Sequence, residues 1–340
     1  MKSFALLTAV ERRTAVNAAA NRLGMPEVVI EKDFWVCWLL ARIFATKGLG
    51  SDCVFKGGTS LSKVFGAVNR FSEDVDLSIH PALLGFKERD LDEAASASSR
   101  RKKIARLEEQ CKDSVSGQFR KELEQEVRSV IGAPASGDWL TFEVDPRTQS
   151  PVLHFAYPDP SGEAGGYVAQ RVKLEFGSLT DQRPDGRHRV EAFLAQALPG
   201  IFDDLGADVV ALELERTFWE KATILHAEYH RPPGKQIRDR FARHYSDFAA
   251  LWNSPSGRQA AKQLDLLERV RLHKSRYFSS AWANYEEAVP GTIRLVPPKA
   301  REAELRKDYE SMRPMFLVDP PGFAVILSVL EEAERSLNRG

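Results

Sequence analysis

Two glycines at the end of a short apolar run could bind a phosphate group. Gly57 and Gly58 precede Thr59 and Ser60, and a helical pattern follows them. Backbone N–H groups at the start of a helix are free to bind an anion, and the helix dipole favours negative charge there. The Ser60 hydroxyl can donate to a phosphate oxygen, and Lys63 adds a positive charge one turn later. This pattern predicts a phosphate-binding turn.

Two aspartates follow in the next apolar run. Asp74 and Asp76 are two residues apart, so on a strand their side chains point to one face. Their carboxylates repel each other unless a cation lies between them. Mg²⁺ prefers carboxylate oxygens and is commonly shared with the phosphates of a nucleotide. The glycine turn and the aspartates together predict a site for Mg²⁺ and a nucleotide; the alternative is a tight turn beside two surface acids.

A third carboxylate lies in the run RVKLEFG. Lys173 and Glu175 alternate with apolar residues, so both polar side chains face one way on a strand. Glu175 could complete a metal site or accept the proton of an attacking hydroxyl, and Lys173 could neutralise phosphate charge. A half-buried strand with a solvated ion pair is the alternative, and the pattern leaves both open.

A helical pattern near residue 215 carries a further acid and base. Glu215 and Lys221 are six residues apart, about 120° around a continuous helix at ~100° per residue. For both to reach one site, Glu215 must lie in the first turn or just before it. The alternative is a charged solvent face. His226 and His230 have the i, i+4 spacing of a zinc pair, but Ala227 stands where a zinc protease needs glutamate, so we predict ordinary packing or a polar rim.

The segment 231–243 carries the densest positive charge of the C-terminal half. It contains a single acid, Asp239. Such a strip suits the phosphates of RNA or of a nucleotide, although a basic helix face paired with acids elsewhere is equally compatible with the pattern. The basic residues are Arg231, Lys235, Arg238, Arg240 and Arg243.

The composition is that of an ordinary globular protein. The chain has 340 residues, of which 43% are hydrophobic and 28% are charged, and its 48 basic and 48 acidic side chains cancel. No overall field therefore marks a polyanion binder. The three cysteines, at 37, 53 and 111, include no C-x-x-C pair, which argues against disulfides or structural zinc. With no signal peptide or membrane span in the pattern, we expect a cytoplasmic protein.

The elements that must hold these residues change in character near residue 210. Before that point short apolar strands alternate with helical patterns, which is typical of an α/β fold. After it the pattern is almost entirely helical. We therefore predict a core lobe over residues 1–210 and a helical lobe over residues 211–340.

The strands and helices predicted from apolar periodicity are as follows. The strands are Cys53–Lys56, Val75–Ile79 and the runs WLTFEV, PVLHFAY, RVKLEFG and DVVALEL, with HRVEAFLAQAL compatible with either type. The helices span residues 8–24, 27–47, 59–65, 215–230, 235–252, 257–273, 299–312 and 323–335, with one or two charged helices within 92–128 and a turn around 159–166.

These motifs resemble those of the DNA polymerase β-like nucleotidyltransferase superfamily and, more closely, the AbiEii/AbiGii toxins of type IV toxin–antitoxin and phage-defence systems. The resemblance covers about residues 28–250 and rests on IEKDFWVCWLL, FKGGTSLSK, RFSEDVDLS, KLEFG, the spaced Glu215 and Lys221, and RHYSDF. It implies an α+β core with a mixed sheet and a helical C-terminal lobe, with the nucleotide and metal held between them.

The resemblance also implies a reaction. A nucleoside monophosphate is transferred from an NTP with loss of pyrophosphate, the acceptor is the 3′ end of tRNA, translation stops, and a separately encoded antitoxin silences the toxin. The implied catalytic residues are Asp74, Asp76, Glu175, Lys173, Glu215 and Lys221, with Asp74, Asp76 and Glu175 as Mg²⁺ ligands. The implied NTP-binding residues are Gly57, Gly58, Thr59, Ser60, Lys63 and Ser72.

Two other functions are compatible with the same motifs. One is a nucleotidyltransferase that modifies a small molecule or a protein side chain. The other is an NTP-binding regulatory protein without catalysis, although such a protein has no physical reason to keep three mutually repelling carboxylates.

Overall fold

The structure is a computed structural model that describes residues 1–72, 74–87, 96–160, 169–202, 204–278 and 280–339. The chain forms two compact units. The first comprises Met1–Val64 and Ser72–Ala211, and the second comprises Phe65–Phe71 and Leu212–Gly340. The predicted start of the charged helices at residue 92 and most of the predicted turn at 159–166 lie outside the described residues.

One mixed sheet forms the centre of the first unit. Among the described residues it has seven strands in the order β3-β4-β5-β2-β1-β7-β6. Strand β2 runs antiparallel to β1 and parallel to β5, so the sheet is mixed as predicted, and the α/β fold class is confirmed. The strands are β1 (Cys53–Lys56), β2 (Asp74–Ile79), β3 (Leu140–Val144), β4 (Pro151–Phe155), β5 (Val172–Gly177), β6 (Asp185–Glu191) and β7 (Gly206–Leu212).

Local capping signals explain the helices that open the chain. Helix α1 (Lys2–Ala5) precedes α2 (Ala9–Leu23). Thr8 and Glu11 form a reciprocal capping box at the start of α2, and Gly24 ends it in the left-handed conformation with φ of 65°. Both signals are readable in the sequence, and the predicted helix over residues 8–24 is confirmed.

The apolar helix α3 (Glu27–Ala45) supplies much of the core of the first unit. Its Trp35 and Trp38 are fully buried. Trp38 stacks on Phe155 of β4 at 5.9 Å between ring centroids, and Trp35 stacks on Tyr157 at 5.8 Å. Aromatic packing of this kind buries a large apolar area and fixes the helix against the sheet.

The remaining helices of the first unit follow the predicted pattern with shifted ends. The short helix α4 (Gly57–Lys63) starts at the glycines themselves, two residues earlier than predicted. The charged region is α5 (Ala97–Ser114) and α6 (Arg120–Ile131), joined through a π-helical turn at Val115–Phe119. The ambiguous run at 188–198 contains both types, because β6 ends at Glu191 and α7 (Phe193–Ala197) follows.

The second unit is helical, as predicted. Its helices are α8 (Leu214–Tyr229), α9 (Arg243–Trp252), α10 (Pro255–Ala260), α11 (Leu264–Tyr277), α12 (Glu302–Ser311) and α13 (Phe323–Arg339). Two predicted helices differ from the structure. The one expected from residue 235 begins only at Arg243, and the one expected over 257–273 is divided between α10 and α11.

A buried histidine helps to hold the second unit together. His226 of α8 is fully buried. Its Nδ1 accepts a hydrogen bond from the Arg294 N–H at 3.0 Å, and its Nε2 lies 3.0 Å from the Asn284 carbonyl oxygen. Both ring nitrogens therefore bond to backbone groups, and the predicted packing role is confirmed. Burial lowers the pKa of His226 to about 4.

This histidine should make the protein less stable at acid pH. The folded-state pKa lies below the ordinary value, so the neutral form stabilises the fold above about pH 6.5 and that contribution is lost as pH falls toward about 4. Between pH 6.5 and 5 we expect the free energy of unfolding to drop by about 1–2 kcal/mol from this group. Urea unfolding at both pH values measures the drop. The drop in the free energy of unfolding should be smaller in His226→Gln. A drop of the same size in that variant would contradict the assignment of this pH dependence to His226.

None of the helices in the described part of the chain combines the length and the apolar character that crossing a membrane requires.

Candidate active site

The predicted acids and lysine of the first unit lie on neighbouring strands in matched register. Strand β2 pairs with β5 so that Asp74 lies opposite Lys173 and Asp76 lies opposite Glu175. All four side chains are partly exposed, and the residues that alternate with them are buried. The pleat therefore places the four on one face of the sheet. The buried neighbours are Val75, Leu77, Leu174 and Phe176.

Lys173 lies between two carboxylates. Its Nζ donates to Asp145 Oδ2 at 2.9 Å and to Glu175 Oε2 at 3.0 Å. Partial burial works against the charged ammonium, but these two bonds and the charge of Asp74 outweigh burial and raise the pKa of Lys173. Burial likewise works against the Asp145 carboxylate, yet its bond from Lys173 and two backbone N–H bonds lower its pKa to about 2. Lys173 is a fixed positive charge.

The glycine turn contacts the second aspartate directly. Gly57 has φ of +79°, and a Cβ atom at this position would stand 2.1 Å from Asp76 Oδ2. Only glycine leaves room for the carboxylate there. Thr59 Oγ1 donates to the Asp74 carbonyl oxygen, so its hydroxyl joins α4 to β2. The first turn of α4, with Gly58, is thereby held beside the aspartates.

The structure places three other predicted nucleotide contacts away from solvent. Ser60 is fully buried, and its hydroxyl has no hydrogen-bond partner within the described part of the chain. The Lys63 ammonium lies 2.7 Å from Asp33 Oδ1 and donates to the Glu191 carbonyl oxygen. Its side chain is only 8% exposed, which favours a structural ion pair over a nucleotide contact. Ser72, just before β2, is also mostly buried.

Lys221 lies in a buried charged cluster of the second unit. Its Nζ donates to Asp247 Oδ2 at 2.7 Å and lies 3.2 Å from His244 Nδ1. Arg70 donates to both oxygens of Asp247, at 2.7 and 2.8 Å. Lys221 and Asp247 are almost completely buried, so Lys221 is not a surface ion-pair partner of Glu215. Glu215 lies in the first turn of α8, as predicted, and is partly exposed.

This cluster is formed by Arg70, Lys221, His244 and Asp247. Burial raises the pKa of Asp247, but Arg70 and Lys221 outweigh it and hold that pKa far below its ordinary value. Burial lowers the pKa of His244 well below 6.5, and the nearby cations lower it further, so its ring is neutral. Arg70 and Lys221 thus share the Asp247 carboxylate, and burial lowers the pKa of Lys221.

The basic residues of segment 231–243 do not share one helix face. Arg231 pairs with Glu228 at 2.7 Å, and Arg240 adopts φ of +59°. Lys235 and Arg238 are exposed in an irregular segment. Arg243 is the first residue of α9.

Comparison with known proteins identifies the family. The family model described as the nucleotidyl transferase AbiEii toxin of a type IV toxin–antitoxin system matches residues 38–329. The chain belongs to the AbiEii toxin family. It is therefore a nucleotidyltransferase toxin of the type IV class, as the resemblance implied, and the family implies a separately encoded antitoxin.

This AbiEii protein is similar to a solved structure over almost its whole length. MenT4, a nucleotidyltransferase toxin from Mycobacterium tuberculosis, is 16% identical, with a TM-score of 0.43 over 98% of this chain and 97% of MenT4. No curated protein matches the sequence significantly.

The AbiEii structure includes three charged residues that sequence reasoning did not assign to a site. Asp145 follows β3, 28 residues before Lys173, and no periodic pattern connects the two. Asp247 was visible as the acid of RHYSDF, and Arg70 as the first residue of RFSEDVDLS, but neither motif indicated a partner 177 residues away. The only signal available in the sequence would have been a charged residue at a position expected to be buried, because such a residue needs a partner of opposite charge elsewhere in the chain.

The carboxylates of β2 have the donor chemistry that Mg²⁺ prefers. Asp74 and Asp76 offer hard oxygen ligands on one partly exposed face. In the described residues, however, no three His, Cys, Asp or Glu side chains are arranged to hold a metal ion together. The expected set of Asp74, Asp76 and Glu175 is thus not assembled, since Lys173 engages Glu175 Oε2. Mg²⁺ is commonly held by one or two carboxylates together with substrate phosphates, and the two aspartates fit that arrangement.

The contact between Gly57 and Asp76 makes a specific prediction for this AbiEii toxin. Gly57→Ala should lower nucleotide transfer at least about tenfold, because the new methyl group displaces the Asp76 carboxylate by its clash at 2.1 Å. The matched control is Gly48→Ala, where φ is +85° but nothing lies within 4 Å. Both variants should lose about 1–2 kcal/mol of stability from backbone strain. Equal transfer rates in the two variants would contradict the prediction.

Proposed function

We propose that this AbiEii toxin transfers a nucleoside monophosphate from an NTP to the 3′ end of tRNA in the cytoplasm, with Mg²⁺ as cofactor, and so blocks translation. One observation carries the proposal. Asp74 lies opposite Lys173 and Asp76 lies opposite Glu175 on paired strands, and Gly57 lies against the Asp76 carboxylate. Acids for a metal, a fixed cation and a phosphate-binding turn are thereby combined on one sheet face.

The proposed reaction is an in-line displacement at the α-phosphorus. The acceptor hydroxyl oxygen forms a bond to phosphorus, the bond from phosphorus to the bridging oxygen of pyrophosphate breaks, and the hydroxyl proton leaves to a base. Glu175 can take that proton through Oε1, because Lys173 engages the other carboxylate oxygen. Mg²⁺ held by Asp74 and Asp76 would neutralise phosphate charge and orient the triphosphate.

Two lysines serve the triphosphate in this proposal. Lys173 stays protonated and can stabilise negative charge that develops on the phosphates. Lys221 is proposed to bind the departing pyrophosphate because the family resemblance implies it as a catalytic residue. Glu215 is proposed as a further site residue because the family resemblance implies it.

RNA is proposed as the acceptor because of the basic segment. Lys235 and Arg238 are exposed, and neither forms an ion pair within the described part of the chain. Such cations suit the phosphate backbone of RNA. Arg231, Arg240 and Arg243 are proposed as further RNA contacts because they belong to the same basic segment.

A labelling experiment tests the proposed function. The protein is incubated with total tRNA and each α-labelled NTP, with Mg²⁺ or with EDTA. We expect label at the RNA 3′ end with at least one NTP and none with EDTA. Label in a protein or small molecule instead of RNA would support the alternative acceptors, and nucleotide binding without any transfer would overturn enzyme function.

A further inference from the structure

An irregular segment of the second unit is held in place by side chains rather than by regular structure. This segment, residues 231–242, is named the basic loop. Arg301 donates through one nitrogen to three of its carbonyl oxygens, Glu304 accepts from one of its N–H groups, and Asp308 accepts from two more. The backbone partners are Pro232, Pro233, Lys235, Ile237, Arg240 and Ala242.

The three side chains come from one helix face. Arg301 immediately precedes α12, and Glu304 and Asp308 follow at spacings of three and four residues. Residues so spaced lie on the same side of a helix. The loop therefore does not depend on water to satisfy these backbone groups, and its conformation is fixed before any ligand binds. A preformed surface loses less conformational entropy on binding.

A tryptophan lies beside the fixed cations. Trp282 is partly exposed. The Arg231 guanidinium lies 4.7 Å from its ring centroid, and the Lys235 ammonium lies 5.6 Å from it. Glu228 holds Arg231 in this position through an ion pair at 2.7 Å. An aromatic ring next to cations is the combination that binds unpaired nucleotides, because bases stack on the ring and phosphates pair with the cations.

We propose that Trp282, Lys235 and Arg238 bind unpaired nucleotides of an RNA acceptor, with one base stacked on the Trp282 ring. This inference rests on the proposed function, in which the acceptor is RNA. Bases within a duplex are stacked on one another and do not present a free face to an aromatic side chain. The surface should therefore favour RNA that ends in an unpaired 3′ tail over a blunt duplex.

Binding without nucleotide transfer tests the inference. A fluorescent RNA hairpin with a four-nucleotide 3′ tail and the same hairpin with a blunt end are titrated in the absence of NTP and Mg²⁺, and anisotropy gives the dissociation constants. Trp282→Leu should weaken binding of the tailed hairpin about tenfold, because the stacking of one base on the ring is lost, and leave binding of the blunt hairpin unchanged. Trp282→Tyr keeps an aromatic ring and should bind within about threefold of wild type.

The cations should respond differently from the ring. Lys235→Gln combined with Arg238→Gln should weaken both hairpins and flatten the dependence of log affinity on log salt by about one to two units. The matched control is Lys262→Gln combined with Arg335→Gln, which removes two exposed cations elsewhere in the same unit. That control should bind both hairpins as wild type does.

Two outcomes would overturn the inference. One is unchanged binding of the tailed hairpin in Trp282→Leu, and the other is equal weakening of the tailed and blunt hairpins in that variant. Thermal unfolding shows whether each variant keeps its fold. If Trp282→Leu does not fold, the affinity of Trp282→Tyr for the tailed hairpin decides. The proposed function fails separately, through absence of labelled RNA with the wild-type protein, so the two failures are distinguishable.

Discussion

Nucleotide transfer should fall at least about a thousandfold in Asp74→Asn and in Asp76→Asn, which corresponds to a loss of about 4 kcal/mol of transition-state stabilisation. Each substitution keeps the shape of the side chain and removes one of the two charges available to Mg²⁺ on the exposed face of β2. Stability should be unchanged or slightly higher, because the remaining carboxylate no longer faces a like charge two residues away. Transfer of α-labelled nucleotide and thermal unfolding are the two measurements.

The control for these variants is another acid on the same sheet. Asp208→Asn on β7 also removes one negative charge, but its side chain is 85% exposed and pairs with Arg189. It should transfer nucleotide at the wild-type rate. A folded Asp76→Asn protein with full activity would exclude the proposed metal site, whereas loss of activity in Asp208→Asn as well would point to a general effect of net charge.

Local signals made much of the fold predictable from sequence. Helix α2 begins after Thr8, whose side-chain oxygen accepts a hydrogen bond from the first turn, and ends at Gly24, which adopts the left-handed conformation because it has no Cβ atom. The two strands that carry Asp76 and Glu175 are also readable, because polar and apolar residues alternate along each of them. Where two local preferences compete, as at residues 188–198, the pattern alone could not separate a strand from a helix.

Long-range contacts made the rest unpredictable. The basic loop has helix-compatible residues after Pro233, but Glu304 and Asp308 bond its N–H groups and hold it in another conformation. Nothing near residue 235 in the sequence indicates these partners. Likewise, Lys63 lies one turn from the glycines, as a phosphate ligand would. Only the structure shows that its ammonium group forms an ion pair with Asp33 of α3.

Lys221→Met should lower nucleotide transfer at least about a hundredfold with little change in stability. The physical reason is the charge balance of the buried cluster. Arg70 still donates to both oxygens of Asp247, so the buried carboxylate stays paired, and the substitution removes the ammonium group proposed to bind pyrophosphate. Lys173→Met should lose activity similarly, since it removes the fixed cation between Asp145 and Glu175.

Asp247→Asn, unlike Lys221→Met, should lower the stability of the protein. It leaves Arg70 and Lys221 facing each other in a buried site, which should lower the free energy of unfolding by about 3–5 kcal/mol. Lys274→Met is the control for loss of a buried lysine, because Lys274 donates to the Glu220 carbonyl oxygen, outside the cluster. Urea unfolding and labelled-nucleotide transfer on all three variants separate the roles. If Lys221→Met transfers nucleotide within threefold of wild type, Lys221 only balances Asp247, and the triphosphate must be bound by other cations.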